Sequence, residues 1–410
     1  MLAWLSLGAL VAAMIVSCTT RLNVGVLALA LAWLVGVYAG GMPLDEVLGG
    51  FPVQLFLTLA GVMLLFTQAQ LNGTLDRLAA SGVRVCRGNT GLIPVMFFLL
   101  GCGLASLGPG NVATAAMLAP MAMAVAARAA IPAFLMAIMV GNGAQAAALS
   151  PFAPTGIIVN GFMARIGLSG LEWWTYWTNL VAHVCVAFAG YLILGGLKLF
   201  RMRYVGEPAS DAGAQRFERD HCVTLGVIVA VLVSVLFLGA NIGMAAFAGA
   251  VFLAAVRVAD HEQAIRRMPW TPIVMVSGVS VLVALLEKTR GLDLFTDLLA
   301  RTATPETVTG MIALVTGIIS VYSSTSGVVL PAFLPTVPGL VERLGADAVA
   351  IASSMNIGAH LVDMSPLSTT GAVCVAAITS ADEARTTYNR LLAWGLSMTV
   401  VGAVGCWLVF

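Results

Sequence analysis

The chain has 410 residues and a formal net charge of +1; 60% of its residues are hydrophobic and only 10% are charged. A soluble domain carries roughly 25% charged residues, so this composition excludes an ordinary water-soluble protein. Long apolar runs separated by short polar joints predict an all-α protein that crosses the membrane many times, because a spanning helix needs about 20 apolar residues. The sequence lacks the period-2 alternation of a membrane barrel, which excludes that class.

Apolar segments follow one another along the whole chain, and several are too short to span a bilayer alone. They lie at 2–18, 22–39, 51–69, 91–107, 113–130, 131–149, 154–168, 178–200, 222–239, 241–257, 270–287, 307–322, 327–344, 347–362, 366–380 and 386–409. The first has no basic n-region and no small-residue cleavage site, so we interpret it as a retained span and not as a signal peptide. The longest polar stretch, 201–221, is predicted to be a solvated cytoplasmic linker.

Several features between these segments have a structural interpretation. The stretches 70–82 and 288–301 are predicted to be amphipathic arms at the membrane interfaces. WWTYW at 173–177, just before a span, is typical of an aromatic belt at the outer leaflet. His183, near Asn179, is predicted to be a hydrogen-bonded packing residue. The seven cysteines show no metal-ligand spacing and are expected to be small buried apolar residues.

The two halves of the chain repeat one another. SPFAPTG at 150–156 returns as SPLSTTG at 365–371, 215 positions later (365 − 150). Four further pairs follow in the same order and at nearly the same spacing: 21–37 with 239–255, 51–66 with 268–283, 70–79 with 288–300, and 103–120 with 317–335. We therefore predict an internal duplication, with repeats at 1–200 and 222–410. Each repeat contains a hairpin (91–130 and 307–344) and a broken helix (131–168 and 347–380).

The distribution of basic residues predicts the orientation of the repeats. Arg and Lys favour the cytoplasmic side of membrane proteins. All the basic residues near segment ends can lie on that side if both termini are outside and the two hairpins are re-entrant: Arg21, Arg77, Arg84, Arg87, Arg128, Lys198, Arg201, Arg203, Arg257, Arg266 and Arg267. Each half then has five true spans, which makes the second half inverted relative to the first. Inverted repeats with broken helices are the architecture of secondary transporters.

Four stretches are predicted to converge on a binding site: the hairpin tips at 107–114 and 321–327, and the breaks at 141–156 and 356–371. Gly and Pro unwind helices and free backbone carbonyls and amides, while hydroxyl and amide side chains suit a carboxylate. The predicted substrate contacts are Asn111, Thr114, Ser150, Pro151, Thr155, Ser324, Thr325, Ser365, Pro366, Thr369 and Thr370. The predicted Na⁺ contacts are Gly108, Asn111, Gly143, Ser323, Thr325, Ser326 and Gly358. The alternative is that these small residues only let membrane helices pack closely.

Charged residues inside a membrane are costly, so those within the clusters are informative. The four stretches contain no Arg or Lys, so an anionic substrate would need bound cations, helix dipoles and hydroxyl donors. His360 and Asp363 lie in the second break. They are candidates for cation binding or proton coupling. Equally, they could pair with each other or lie at the water-facing mouth of the break.

The tips and breaks resemble the ion transporter superfamily, which includes the divalent anion–sodium symporters. The stretch from LNVGVLALALAWLVGVYAGG to GPGNVATAA is most similar to the MatC-type malonate/dicarboxylate carriers. By this resemblance, Gly110, Asn111 and Val112 occupy the Ser-Asn-Thr signature of the first tip, of which only Asn is kept. Ser323, Ser324 and Thr325 occupy the second, with Ser in place of Asn. The resemblance also implies a homodimer and an elevator motion.

These observations predict a secondary transporter of the bacterial inner membrane, and not an enzyme. The sequence has no HExxH, Walker or GxSxG motif, so an ion gradient or the substrate's own gradient must supply the energy. We expect symport of a small dicarboxylate such as malonate, succinate or malate with Na⁺, ahead of H⁺, and no nucleic-acid partner. The alternative is an ion/proton antiporter of the same superfamily that uses Asp363 and His360.

Overall fold

A computed structural model describes residues 1–20, 22–83, 89–202 and 217–410. Within these ranges the chain is α-helical, with short π and 3₁₀ segments and no strand. Arg21, Arg84, Arg87, Arg203 and Cys86, and residues 203–216 of the predicted linker, lie outside the described residues.

The first half contains eleven helices. They are α1 (Leu2–Thr19), α2 (Val24–Trp33, continued by a π-helix at Leu34–Ala39), α3 (Leu44–Leu48), α4 (Val53–Leu71), α5 (Thr74–Val83), α6 (Leu92–Leu107), α7 (Gly110–Arg128), α8 (Ala133–Ala146), α9 (Pro154–Arg165), α10 (Glu172–Ile193) and α11 (Gly196–Leu199).

From α13 onwards, the helices of the second half follow the order of those of the first half from α2 onwards. Its helices are α12 (Arg219–Leu238), α13 (Ile242–Ala255), α14 (His261–Arg267), α15 (Trp270–Lys288), α16 (Gly291–Ala300), α17 (Val308–Ser320), α18 (Leu330–Phe333), α19 (Val337–Leu344), α20 (Ala348–Leu361), α21 (Thr369–Ala376) and α22 (Ala381–Val409). A π segment (Thr325–Val329) and two 3₁₀ segments (Leu334–Thr336 and Val362–Met364) interrupt them.

The described helices confirm an all-α protein that crosses the membrane several times. Seven of them are long and apolar enough to cross a bilayer by length and composition, and six shorter apolar helices accompany them. The aromatic run at 173–177 begins α10 instead of preceding it, because that helix starts at Glu172. Cys374 and Cys406 are buried as predicted, but Cys185 and Cys222 are exposed on their helices, so the prediction of buried cysteines was wrong for these two.

Corresponding asparagines begin the paired helices α2 and α13. Asn23 accepts a hydrogen bond from the Gly25 backbone N–H at 2.9 Å, and Asn241 accepts one from Met244 at 3.2 Å. Asn is a favoured N-cap because its side-chain oxygen satisfies an amide that has no partner within the helix. The alignment of these two residues in the sequence therefore reflects a shared helix start.

Glycine contacts join the two halves reciprocally. A Cβ at Gly25 in α2 would lie 2.2 Å from the Val274 carbonyl oxygen of α15, and one at Gly61 in α4 would lie 2.3 Å from that of Gly243 in α13. Each half thus packs one helix against the other half, with backbones in direct contact, as small residues permit in membranes. This reciprocal packing is what a two-fold axis that relates the two repeats would produce. The inverted orientation of the second half stays a prediction.

The two helix pairs beside the breaks also pack through equivalent glycines. A Cβ at Gly143 in α8 would lie 2.4 Å from the Phe98 carbonyl oxygen of α6. One at Gly358 in α20 would lie 2.4 Å from the Ala313 carbonyl oxygen of α17. Both the glycines and their partners are 215 positions apart. Gly143 and Gly358 therefore let each broken helix lie directly against its hairpin.

We expect Gly143→Ala and Gly358→Ala to destabilise the protein by about 1–3 kcal/mol each, because the added methyl group overlaps a backbone oxygen that cannot move alone. Gly103→Ala in α6 is the matched control, since a Cβ there meets nothing within 4 Å. That change should be neutral or stabilising, since Ala favours a helix over Gly by roughly 1 kcal/mol. Thermal unfolding in detergent checks the contrast, which equal shifts for all three variants would contradict.

Candidate functional site

The two tips and two breaks surround two neighbouring cavities of about 340 and 470 Å³, which share part of their lining and which we treat as two lobes of one site. We call these the inner lobe, which contains Asp363, and the outer lobe, which contains Gly108. Eight residues line both lobes, so the two lobes adjoin: Asn111, Val112, Thr155, Thr271, Met275, Ser324, Ser326 and Thr369. Volumes of a few hundred Å³ are typical of small-molecule sites.

The first tip is a tight turn between α6 and α7. Gly108 has φ +140° and Gly110 has φ +81°, conformations that side chains with a Cβ rarely adopt. A Cβ at Gly108 would also lie 2.0 Å from the Phe66 ring. The turn places Asn111 in the first turn of α7, where its side chain is 8% exposed and lines both lobes.

The second tip is longer and less regular. After α17 ends at Ser320, residues 321–324 are non-helical, and the Ser324 hydroxyl caps the following π segment by accepting a bond from Gly327 N–H at 3.1 Å. Thr325 begins that segment and is buried. Polar groups from Ser323 to Ser326 therefore face the cavity from one short stretch of chain.

The two breaks have the same local construction, which explains the repeated Ser-Pro and Thr-Gly pattern. Each second helix begins within the predicted break, at Pro154 and at Thr369, and its glycine packs onto a serine of the non-helical segment before it. A Cβ at Gly156 would lie 1.9 Å from the Ser150 carbonyl oxygen, and one at Gly371 would lie 2.2 Å from that of Ser365. Ser150 and Ser365 thus fix the geometry of the breaks. Neither lines the cavity.

A chain of hydrogen bonds joins the four segments, with Gln145 at its centre. The Asn111 amide donates to Gln145 Oε1 at 2.8 Å, and the Thr155 hydroxyl donates to Asn111 Oδ1 at 3.3 Å. Gln145 Nε2 donates to Asp363 Oδ2 at 3.3 Å and to Thr370 Oγ1 at 3.0 Å. The Gln145 side chain therefore connects the first tip to the second break.

The second tip completes this network at Asp363. The Thr325 hydroxyl donates to Asp363 Oδ1 at 2.7 Å, so each carboxylate oxygen accepts one side-chain hydrogen bond. Asp363 is 7% exposed, and within the described part of the chain no Lys or Arg pairs with it. A buried carboxylate without a countercharge is costly. Either a bound cation or a proton on Asp363 would remove this cost.

His360 and Asp363 are not paired with each other. His360 Nδ1 lies 2.8 Å from the Asn356 carbonyl oxygen, and His183 Nδ1 lies 3.0 Å from that of Asn179. Both rings are almost fully buried, and the Nε2 atom of each has no hydrogen-bond partner among the described residues. His360 also lines the inner lobe. His183 has the packing position that was predicted for it.

The structure brings most, but not all, of the predicted site residues to the cavity. Those that line it are Gly108, Asn111, Thr155, Ser323, Ser324, Thr325, Ser326, His360, Asp363, Thr369 and Thr370. Those that lie outside its lining are Thr114, Gly143, Ser150, Pro151, Gly358, Ser365 and Pro366. The second group consists mainly of residues that shape the breaks or let helices pack. Their side chains support the walls of the cavity and do not face its interior.

Several polar residues of the cavity lining were not among the predicted site residues, including Gln145, Thr271 and Arg267. Gln145 lies within the predicted break at 141–156 but was not singled out there. Thr271 lines both lobes, but it begins a span in which nothing else is polar nearby. Arg267 lines the outer lobe and was interpreted only as a cytoplasmic charge. Arg267 and Thr271 lie close together in the sequence, and this was the signal that could have placed them at the same part of the site.

The described helices, with a cavity among broken helices, share their fold with a solved membrane transporter. The solved structure of the YdaH transporter from Alcanivorax borkumensis matches 99% of this chain and 97% of its own, with a TM-score of 0.58 and 18% sequence identity. Residues 1–148 match the family model of the dicarboxylate carrier protein MatC N-terminus. No curated protein matches the chain. The matched region contains Asn111 and Gln145 and ends within the first break.

Proposed function

We propose that this protein is a secondary active transporter that carries a small dicarboxylate together with a cation. The main support for this proposal is the cavity in which both tips and both breaks meet around Asp363. Secondary transporters place their substrate at such breaks, where unwound backbone and helix ends supply the ligands. The match of residues 1–148 to the dicarboxylate carrier model supports a diacid as substrate.

The polar lining supports an anionic substrate with carboxylate groups. Ser324, Ser326, Thr155 and Thr369 line both lobes with hydroxyl groups, which can donate to carboxylate oxygens. Malonate, succinate and malate are small enough for a cavity of this volume.

Charge balance supports cation coupling. A dianion that enters the inner lobe meets the carboxylate of Asp363, and like charges in a poorly solvated space repel strongly. A cation that enters with the substrate removes this cost. Sodium is favoured over a proton because the lobe offers hard oxygen ligands from Ser323, Thr325 and Ser326 and from the non-helical backbone beside them. We propose Gly108 and Asn111 as further contributors at the first tip.

We propose that the substrate crosses the membrane by an elevator motion within a homodimer. In this proposal the crossed helices α2, α4, α13 and α15 form the fixed frame, because their backbones touch through glycines of both halves. The hairpins and broken helices move across it as a unit. The basic side, with Arg257, Arg266 and Arg267, faces the cytoplasm of a bacterial cell, and both termini lie outside.

Uptake by proteoliposomes tests the function. Labelled malonate, succinate and malate should accumulate when an inward Na⁺ gradient is imposed, and much less when choline replaces Na⁺. A proton gradient applied alone separates H⁺ coupling from Na⁺ coupling. If none of the diacids accumulates under either gradient, the proposal is wrong.

An ion/proton antiporter is the second candidate, because Asp363 is buried at the centre of the hydrogen-bond network and, among the described residues, has no cationic partner. His360 lines the same lobe and could assist. An antiporter would move Na⁺ against protons in liposomes that contain no diacid. Such diacid-independent exchange, measured with a pH-sensitive dye, would favour this candidate over symport.

A further inference from the structure

The outer lobe is lined by a cationic side chain that does not belong to the converging tips and breaks. Arg267 at the end of α14 lines this lobe, together with Thr67 and Gln70 of α4 and Gly108 of the first tip. Among the described residues that line either lobe, the charged side chains are Asp363, buried in the inner lobe, and Arg267, exposed at the outer one. The cavity therefore has a positive mouth and a negative centre.

The backbone around Arg267 is held in place by buried neighbours. Ala264 is fully buried and Met268 is 6% exposed, so both sides of Arg267 are anchored. The Trp270 indole N–H donates to the Ile265 carbonyl at 3.0 Å and ties the start of α15 back to α14. Since α14 packs against α4, which forms the opposite wall, the position of Arg267 at the mouth is set by the fold.

The neighbouring arginine has a different environment. Arg266 forms an exposed ion pair with Glu262 one helical turn earlier, at 3.7 Å. Within the described ranges, none of the ion pairs includes Arg267. Its guanidinium is therefore available to an anion in the lobe, and a guanidinium matches the geometry of a carboxylate better than an ammonium does.

We propose that Arg267 attracts the dianion to the cavity mouth and holds one of its carboxylates there before the substrate reaches the network around Gln145. This inference rests on the proposed dicarboxylate function and adds a specificity-determining residue to it. Because Arg267 lies on the side predicted to be cytoplasmic, the contact operates in the state that opens to the cytoplasm. A positive mouth raises the local concentration of anions and their rate of entry, and salt weakens this effect.

Equilibrium binding of labelled malonate and succinate to the purified full-length protein tests the proposal. We expect Arg267→Gln to raise the Kd about two- to fivefold at low ionic strength, the range of an exposed ion pair to an anion. The difference should shrink at high ionic strength. Arg266→Gln, the matched control, should bind as the wild type does, and Arg267→Lys should retain most of the affinity because it keeps the charge.

The outcomes distinguish a failure of the Arg267 proposal from a failure of the dicarboxylate function. Equal affinities for Arg267→Gln and Arg266→Gln, or an effect of Arg267→Gln that salt does not change, would overturn the proposal for Arg267 alone. If the wild type binds no diacid under any salt condition, the dicarboxylate function itself is wrong. If Arg267→Gln does not fold, the salt dependence of diacid binding by the wild type is the test instead. Binding that does not weaken as the salt concentration rises would then contradict the inference.

Discussion

Asp363→Asn should abolish gradient-driven accumulation of dicarboxylate, with initial rates reduced at least about tenfold. Asparagine keeps the shape of the side chain and can still accept the Thr325 hydroxyl bond. The substitution removes the charge that favours a cation in the inner lobe, so substrate movement loses its connection to the ion gradient. A charge-assisted interaction in a buried site contributes enough free energy for a change of this size.

The measurement compares uptake under a Na⁺ gradient with exchange of labelled for unlabelled substrate when no gradient is present. Exchange should persist in Asp363→Asn, because the substrate contacts remain. Asp293→Asn is the control, since Asp293 is an exposed residue of α16 outside the cavity lining. Normal Na⁺-driven accumulation by Asp363→Asn would show that the coupling ion binds elsewhere.

Gln145→Leu should have the second large effect, on binding and stability together. The amide of Gln145 bonds Asn111, Asp363 and Thr370, so its loss leaves buried polar atoms of three residues, at the first tip and in the second break, without this partner. Each orphaned buried group costs roughly 1–3 kcal/mol. We therefore expect a lower unfolding temperature and at least about tenfold weaker diacid binding.

Gln68→Leu separates the effect on binding from the effect on stability. Gln68 is also buried, and its amide donates to the Ala250 carbonyl at 3.2 Å, outside the cavity lining. This variant should lower the unfolding temperature but leave the Kd of the folded protein unchanged. Thermal unfolding and equilibrium binding on the same samples check both expectations. Equal losses of binding in the two variants would contradict a special role for Gln145.

Sequence reasoning could identify the membrane class, the hairpins and the breaks because each depends on local pattern. A run of apolar residues needs a helix, and the Gly-Pro-Gly at 108–110 cannot continue one. The tips and breaks therefore fell close to their observed positions. The start of α10 at Glu172 was missed, since the aromatic and polar residues there looked like an interface instead of a helical turn.

The site was harder to predict because side chains of one type have two uses. Glycine unwinds a helix at Gly108 but lets two helices touch at Gly143, and the sequence does not distinguish the two. Serine closes a break at Ser150 but faces the cavity at Ser324. Gln145 acquires its importance only from partners far along the chain, 34, 218 and 225 positions away.

The separation between wall and lining has a consequence for how such a protein could change over time. The glycines that fix helix contacts have no spare room, so almost any replacement disturbs the frame. Ser324, Ser326 and Thr369 are only partly buried or exposed, and their side chains line the open space. New preferences among small organic acids can therefore arise by exchanging a few hydroxyl-bearing residues, while the surrounding architecture stays as it is.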